Sequence, residues 1–228
     1  MEIDENVKAY LAGIIYDAGR AQDSADILLE LLEAKYTFQN SDAQLFISVW
    51  SDLISPLRIA ILNMKDDLGE QSSAIKELKN VLNEKLNQII NILQDIFIPL
   101  AQDELTQASY IKKLADFQRY KIECYDGEEK KTLSNESQKN YKKTLTILDN
   151  FHENIRNELN ISTELNYAIL LADYLDQRQT AEETLTRISN ELENSISKYP
   201  EKERSKIQDY IDIMKENLAR WNAKDNEN

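Results

Sequence analysis

Residues 75–96 read IKELKNVLNEKLNQIINILQDI, and Ile75, Leu78, Leu82, Leu86, Ile89, Leu93 and Ile96 within them step by three and four. That spacing puts all seven on one stripe of a helix, with Lys, Glu, Asn and Gln on the other side. Pro99 closes the segment, because a proline offers no N–H to continue the ladder.

The same period extends in both directions. Val7, Leu11, Ile14 and Ala18 form a stripe ended by Gly19, and Ala25, Leu28, Leu31 and Leu32 form a second after Asp23-Ser24. Ser41-Asp42-Ala43-Gln44 has capping-box chemistry for a third helix carrying Ile47, Trp50, Ile54, Arg58, Ile61 and Leu62. Pro56 lies inside that helix, and Lys65 to Gly69 link it to the next. After Pro99 the stripe Ile111, Ala115, Ile122 predicts a helix ending near Gly127. Another runs from Glu129 to Phe151 with Tyr141, Leu145 and Leu148 inward. A loop around Asn154 to Ser162 leads into Leu165, Ile169, Ala172 and Leu175. Thr180-Ala181-Glu182-Glu183 opens a helix with Leu185, Ile188, Leu192 and Ile196, and the last carries Ile207, Ile211, Met214, Leu218 and Trp221. About nine helices follow, joined by short polar connections that make neighbours antiparallel. No strand signal competes, and no Pro- or Gly-rich linker divides the chain. The expectation is one all-α domain over residues 1–228 with a short tail at 222–228.

Composition narrows the function. Four Gly and three Pro in 228 residues are too few for a loop-rich or all-β protein. A formal charge of −14 argues against broad nucleic-acid or anionic-membrane binding, which needs basic surface. One cysteine, Cys124, rules out an internal disulfide and suits a reducing compartment. The acidic start Met1-Glu2-Ile3-Asp4-Glu5 carries no apolar run long enough for a signal peptide or membrane span, so a cytoplasmic protein is expected. The only histidine, His152, reads as surface or cap beside Glu153. There is no metal-ligand cluster, phosphate loop or nucleophile elbow. The expectation is no enzyme, no metal and no cofactor.

Polar groups on apolar stripes are what stand out. Arg119, four residues after Ala115 and eight after Ile111, falls on a stripe that should be buried, and Tyr120 follows it. Arg58 lies between Ile54 and Leu62; Asn166 stands among Leu165, Ile169 and Leu170 with Asp173 on the same face; Asn217 is flanked by Ile213 and Trp221. Each of these residues alone reads equally as a satisfied buried polar group or an interhelical ion pair. Together they suit another task. Two guanidinium forks and a phenol can enclose a phosphate dianion. Two asparagines can each bond both N–H and C=O of an extended peptide. Leu165, Ile169, Ile213 and Trp221 would supply an apolar wall. That combination fits a phosphorylated peptide segment.

These residues resemble the 14-3-3 family. The match is densest at Arg119-Tyr120, Gly127-Glu128-Glu129-Lys130-Lys131 and Ser137-Gln138-Lys139-Asn140-Tyr141-Lys142-Lys143. It continues at Leu165-Asn166-Tyr167 and Lys215-Glu216-Asn217-Leu218-Ala219-Arg220-Trp221. The resemblance implies nine antiparallel helices forming a concave peptide-binding groove, usually in a homodimer, and an adaptor for phosphoserine or phosphothreonine proteins without catalytic activity. It assigns Arg58, Arg119 and Tyr120 to the phosphate and Asn166, Asn217 and Asp173 to the peptide backbone. Leu165, Ile169, Ile213 and Trp221 fall to the groove wall, and Ile14, Ala18, Arg20 and Asp23 to the dimer interface.

Three departures accompany the match. Ser51 stands where the family has a phosphate-binding lysine, a loss on the order of 1.5–3 kcal/mol, roughly tenfold to a hundredfold in affinity. Asp209 replaces an apolar wall residue. Ala74 and Glu77 fall where an aromatic and a lysine contribute to the dimer, pointing to a weaker or differently angled homodimer. The alternative function is a helical interaction scaffold with weakened phosphate specificity.

Overall fold

In the computed structural model, residues 4–69, 72–151 and 156–225 are described. His152 lies outside them. Among the described residues there are nine helices and no strand. They are α1 (Glu5–Asp17), α2 (Ala21–Glu33), α3 (Asn40–Leu68), α4 (Ser73–Ile92), α5 (Glu104–Ile122), α6 (Gly127–Leu148), α7 (Glu158–Tyr174), α8 (Arg178–Ser195) and α9 (Glu201–Asp225). A wider π turn, Leu93–Phe97, and the short piece Ile98–Leu100 prolong α4 into the proline. The all-α expectation is what the structure shows.

The chain separates into two compact units, Met1–Ala101 and Gln102–Asn228. In the first, α1 packs on α2, α2 on α3 and α3 on α4. Its core includes Phe38, Phe46, Trp50 and Phe97, with Phe46 stacked on Trp50 at 4.3 Å between ring centres and Phe38 edge-on to Phe46 and Phe97. The α4 stripe is buried at Ile75, Leu82, Leu86, Ile89 and Leu93. Gly19 turns the chain from α1 into α2 at φ 76°, and Gly69 ends α3 at φ 74°. Both angles are in the left-handed region where a side chain is strained.

In the second unit α5 packs on α6, α6 on α7, α7 on α8, and α9 on both α7 and α8. Two small buried residues let α5 and α6 approach: Ser137 donates to the Ala115 carbonyl at 2.9 Å, and both are fully buried. A larger cluster holds Ile161, Leu165, Leu171, Leu185, Ile188, Ile211, Met214 and Trp221.

Several local expectations are corrected. The stripe Val7, Leu11, Ile14 is exposed, and α1 buries Ala9 and Ala12 instead. The third helix starts earlier than the Ser41 box implied: the Gln39 N–H donates to Asp42 at 2.8 Å and Asn40 is already helical. Helix α7 begins at Glu158, where the Asn157 side chain accepts from the Asn160 N–H at 3.0 Å, so the loop expected up to Ser162 is shorter. Thr180 lies inside α8, which opens at Arg178. The expected tail is helical through Asp225. Leu62 is 55% exposed, so Arg58 sits at the margin of the α3 stripe rather than inside it.

By length and apolarity, Asn40–Lys65 within α3 could cross a membrane, a test that core helices of water-soluble proteins also pass. Asp42, Asp52, Pro56 and Arg58 lie along it, and it packs on α2 and α4.

Candidate functional site

Asp116 is the hub of the site. Its α5 neighbours Lys112 and Arg119, at i−4 and i+3, share its helix face, and all three are buried. The Lys112 Nζ lies 2.7 Å from one Asp116 oxygen. The other oxygen accepts from the Tyr141 hydroxyl on α6 at 2.7 Å and from the Asn166 amide on α7 at 2.8 Å. The Arg119 Nε donates to the same Tyr141 hydroxyl at 3.4 Å, and its guanidinium carbon sits 4.8 Å from the centre of the half-buried Tyr120 ring. Three helices thus meet on one carboxylate.

Charge at this hub is unequal. Burial pushes the Asp116 carboxyl up, but Lys112 and Arg119 outweigh it and hold the group below the usual aspartate range. Burial also raises the Tyr141 phenol well above its ordinary value, with the Asp116 charge adding to it, so the hydroxyl keeps its proton and donates. Arg119 stays charged: burial opposes this, and the Asp116 charge and the hydrogen bond to Tyr141 favour it. Lys113 is half-buried, with its ammonium destabilised first by burial and then by Lys112. Lys112 and Arg119 thus flank the buried Asp116 carboxylate, and Lys113 beside them is favoured as a cation by both Asp116 and Glu158.

A second cluster joins α7 to α9. Asp173 accepts from the Trp221 indole N–H at 3.1 Å and from the Arg220 guanidinium at 3.0 Å. The same Arg220 nitrogen donates to the Asn217 side-chain oxygen at 2.9 Å, while the Asn217 amide nitrogen donates to the Ile213 carbonyl at 2.8 Å.

The structure thus brings Arg119, Tyr120 and Asn166 together at the first cluster, and Asp173, Asn217 and Trp221 at the second. Of the four wall candidates, Leu165 and Trp221 are 4% and 2% exposed and belong to the core; Ile169 is half-buried and Ile213 is 41% exposed. Arg58 is half-buried on α3, in the other compact unit. Ser51 donates its hydroxyl to the Ile47 carbonyl of its own helix at 2.7 Å. Ile14 and Ala18 are exposed, and Arg20 pairs with Asp23 within the chain at 2.5 Å.

Sequence reasoning missed Lys112 and Arg220. Lys112 lies seven residues before Arg119, two turns back on the same helix face. Arg220 adjoins the Trp221 that was singled out.

The chain matches the family model described as 14-3-3 protein over residues 11–222. A 14-3-3 protein homolog of Neospora caninum is 24% identical over 65% of this chain and 55% of its own length. A 14-3-3 protein of Eimeria tenella is 22% identical over 65% of this chain and 53% of its own. The human 14-3-3 protein beta/alpha is 19% identical over 98% of this chain and 94% of its own. The chain thus spans about half the length of the first two relatives and nearly all of the third. What the helices define is an all-α protein whose packed helices meet on a buried polar cluster. The chain belongs to the 14-3-3 family.

Proposed function

We propose that this protein is a phosphoserine- or phosphothreonine-binding adaptor that clamps or sequesters phosphorylated partner proteins. The supporting observation is the pair of buried cations at the Asp116 hub, where Lys112 and Arg119 flank one carboxylate. Membership in the family supports a phosphopeptide-binding adaptor role in general. In the proposed reading, Arg119 and Tyr120 hold the phosphate and Lys112 adds to the field around it. The resemblance gives Arg58 the same role.

Asn166 and Asn217 hold the peptide backbone. Each spends one amide hydrogen inside the protein, on Asp116 and on the Ile213 carbonyl respectively, and keeps a second donor hydrogen. Asp173 steadies this end by fixing the Trp221 ring.

The test is a titration with a phosphoserine peptide and its unphosphorylated twin. The phosphorylated form is expected to bind more than a hundredfold more tightly. Equal affinity would instead favour a scaffold without phosphate specificity.

The exposed face of α1, with Val7 47%, Tyr10 71%, Leu11 36% and Ile14 47% exposed, supports a homodimer built on it, since adjacent apolar side chains in water favour a partner. Ala18, Arg20 and Asp23 fall to the same interface by resemblance. Replacing Ile14 with Asp should shift sedimentation equilibrium toward monomer; an unchanged mass would remove α1 from the interface.

A further inference from the structure

Arg220 lies between two groups assigned to the ligand's backbone. One nitrogen of its guanidinium reaches both Asp173 and Asn217, at 3.0 and 2.9 Å, and the carbon lies 5.8 Å from the Trp221 ring centre. The side chain is 43% exposed, against 23% for its Asp173 partner. A guanidinium carries five N–H donors, and these two bonds leave three for other partners. We infer that Arg220 is a specificity-determining residue that recognises a carboxylate on the ligand, about three residues from the phosphorylated one. The inference rests on the phosphopeptide reading above.

The spacing comes from α7. Asn166 bonds the Asp116 hub, and Asp173 bonds Arg220, so one helix ties the two cationic groups to fixed positions. The two residues are seven apart, which is two turns on one face and about 10 Å at ~1.5 Å per residue. An extended peptide advances ~3.3 Å per residue, so about three of its residues span that length. A peptide with its phosphate at Arg119 thus brings a side chain three positions away to Arg220. Chain direction decides whether that position lies before or after the phosphosite.

The pairing with Asp173 leaves room for this role. An exposed ion pair of this kind contributes little by itself, so a ligand carboxylate can share the guanidinium. Asp173 weakens the attraction without abolishing it, which predicts opposite effects for the two partners. Arg220→Leu removes the cation, whereas Asp173→Asn keeps an acceptor for the Trp221 N–H and removes the competing charge.

The experiment measures, by fluorescence anisotropy, the affinities of a phosphoserine peptide with glutamate three residues before the phosphosite, three after, or alanine at both. For the unmodified protein one of the glutamate peptides is expected to bind ~fivefold more tightly than the alanine peptide at low salt, falling as salt screens the pair. Arg220→Leu should abolish that ratio and Asp173→Asn should raise it. A ratio near one at both positions, with phosphate dependence intact, overturns the inference alone. A ratio that survives Arg220→Leu overturns it too. Loss of phosphate dependence in the unmodified protein overturns the phosphopeptide reading and this inference with it.

Discussion

Asp116→Ala should lower stability by about 3–5 kcal/mol, the range for breaking a buried ion pair by deleting one partner. The carboxylate offsets Lys112 directly and Arg119 through its field, and accepts from Tyr141 and Asn166. Without it two cations and two donors are left inside the helix packing. Urea unfolding followed by circular dichroism should show the loss as an earlier midpoint. A shift under about 1 kcal/mol would mean that water reaches the hub.

The acid limb gives the same residue a second signature. The folded carboxyl is held below its unfolded value, so its ionised form contributes stability that is fully present above the unfolded value. That contribution is lost as pH falls through the lowered folded value. Asp116→Asn keeps the acceptor oxygen but not the charge. The stability gap between this variant and the unmodified protein should therefore be widest near neutrality and close in strong acid.

Much of the fold was legible because the helical period is written plainly between Ile75 and Ile96, where Ile75, Leu82, Leu86, Ile89 and Leu93 are all buried. Period reveals an apolar face, but not what covers it. Val7, Leu11 and Ile14 have the same spacing and face outward, because Ala9 and Ala12 bring α1 against its neighbours closely enough to fill that contact. Cap positions shifted for a related reason. Ser41 and Thr180 are good cap residues, but the chain had already turned helical at Asn40 and Arg178, so local chemistry was overridden by where packing starts each helix.

The candidate site was legible as a problem rather than as a solution. Arg119 on a buried stripe demanded a partner, and Asp116 lies only three residues away. Its other contacts come from Tyr141 and Asn166, 25 and 50 residues on, and no local pattern announces those. Lys112 was hidden because a lysine pair beside a helix stripe ordinarily points to water. Leu165 and Trp221 were recognised as apolar, yet burial draws them into the core of the second unit rather than leaving them open on its surface.

Arg119→Ala should remove the preference for phosphate, weakening the phosphopeptide more than a hundredfold and leaving its unphosphorylated twin nearly unchanged. Two charge-assisted bonds from one guanidinium to phosphate contribute about 3 kcal/mol or more, which is over a hundredfold in Kd. The lysine expected by resemblance is absent, and the Ser51 hydroxyl is spent on Ile47, so fewer groups share the phosphate charge. Stability should suffer less than in Asp116→Ala, because the carboxylate keeps Lys112, Tyr141 and Asn166 as partners. The two variants thus separate the roles: one disrupts the hub, while the other leaves it paired and removes the ligand's fork. Arg119→Lys preserves charge but not the planar fork, and should recover only part of the affinity. Full recovery would show that charge alone suffices. An Arg119→Ala protein that still prefers the phosphorylated peptide tenfold would move phosphate recognition away from this hub.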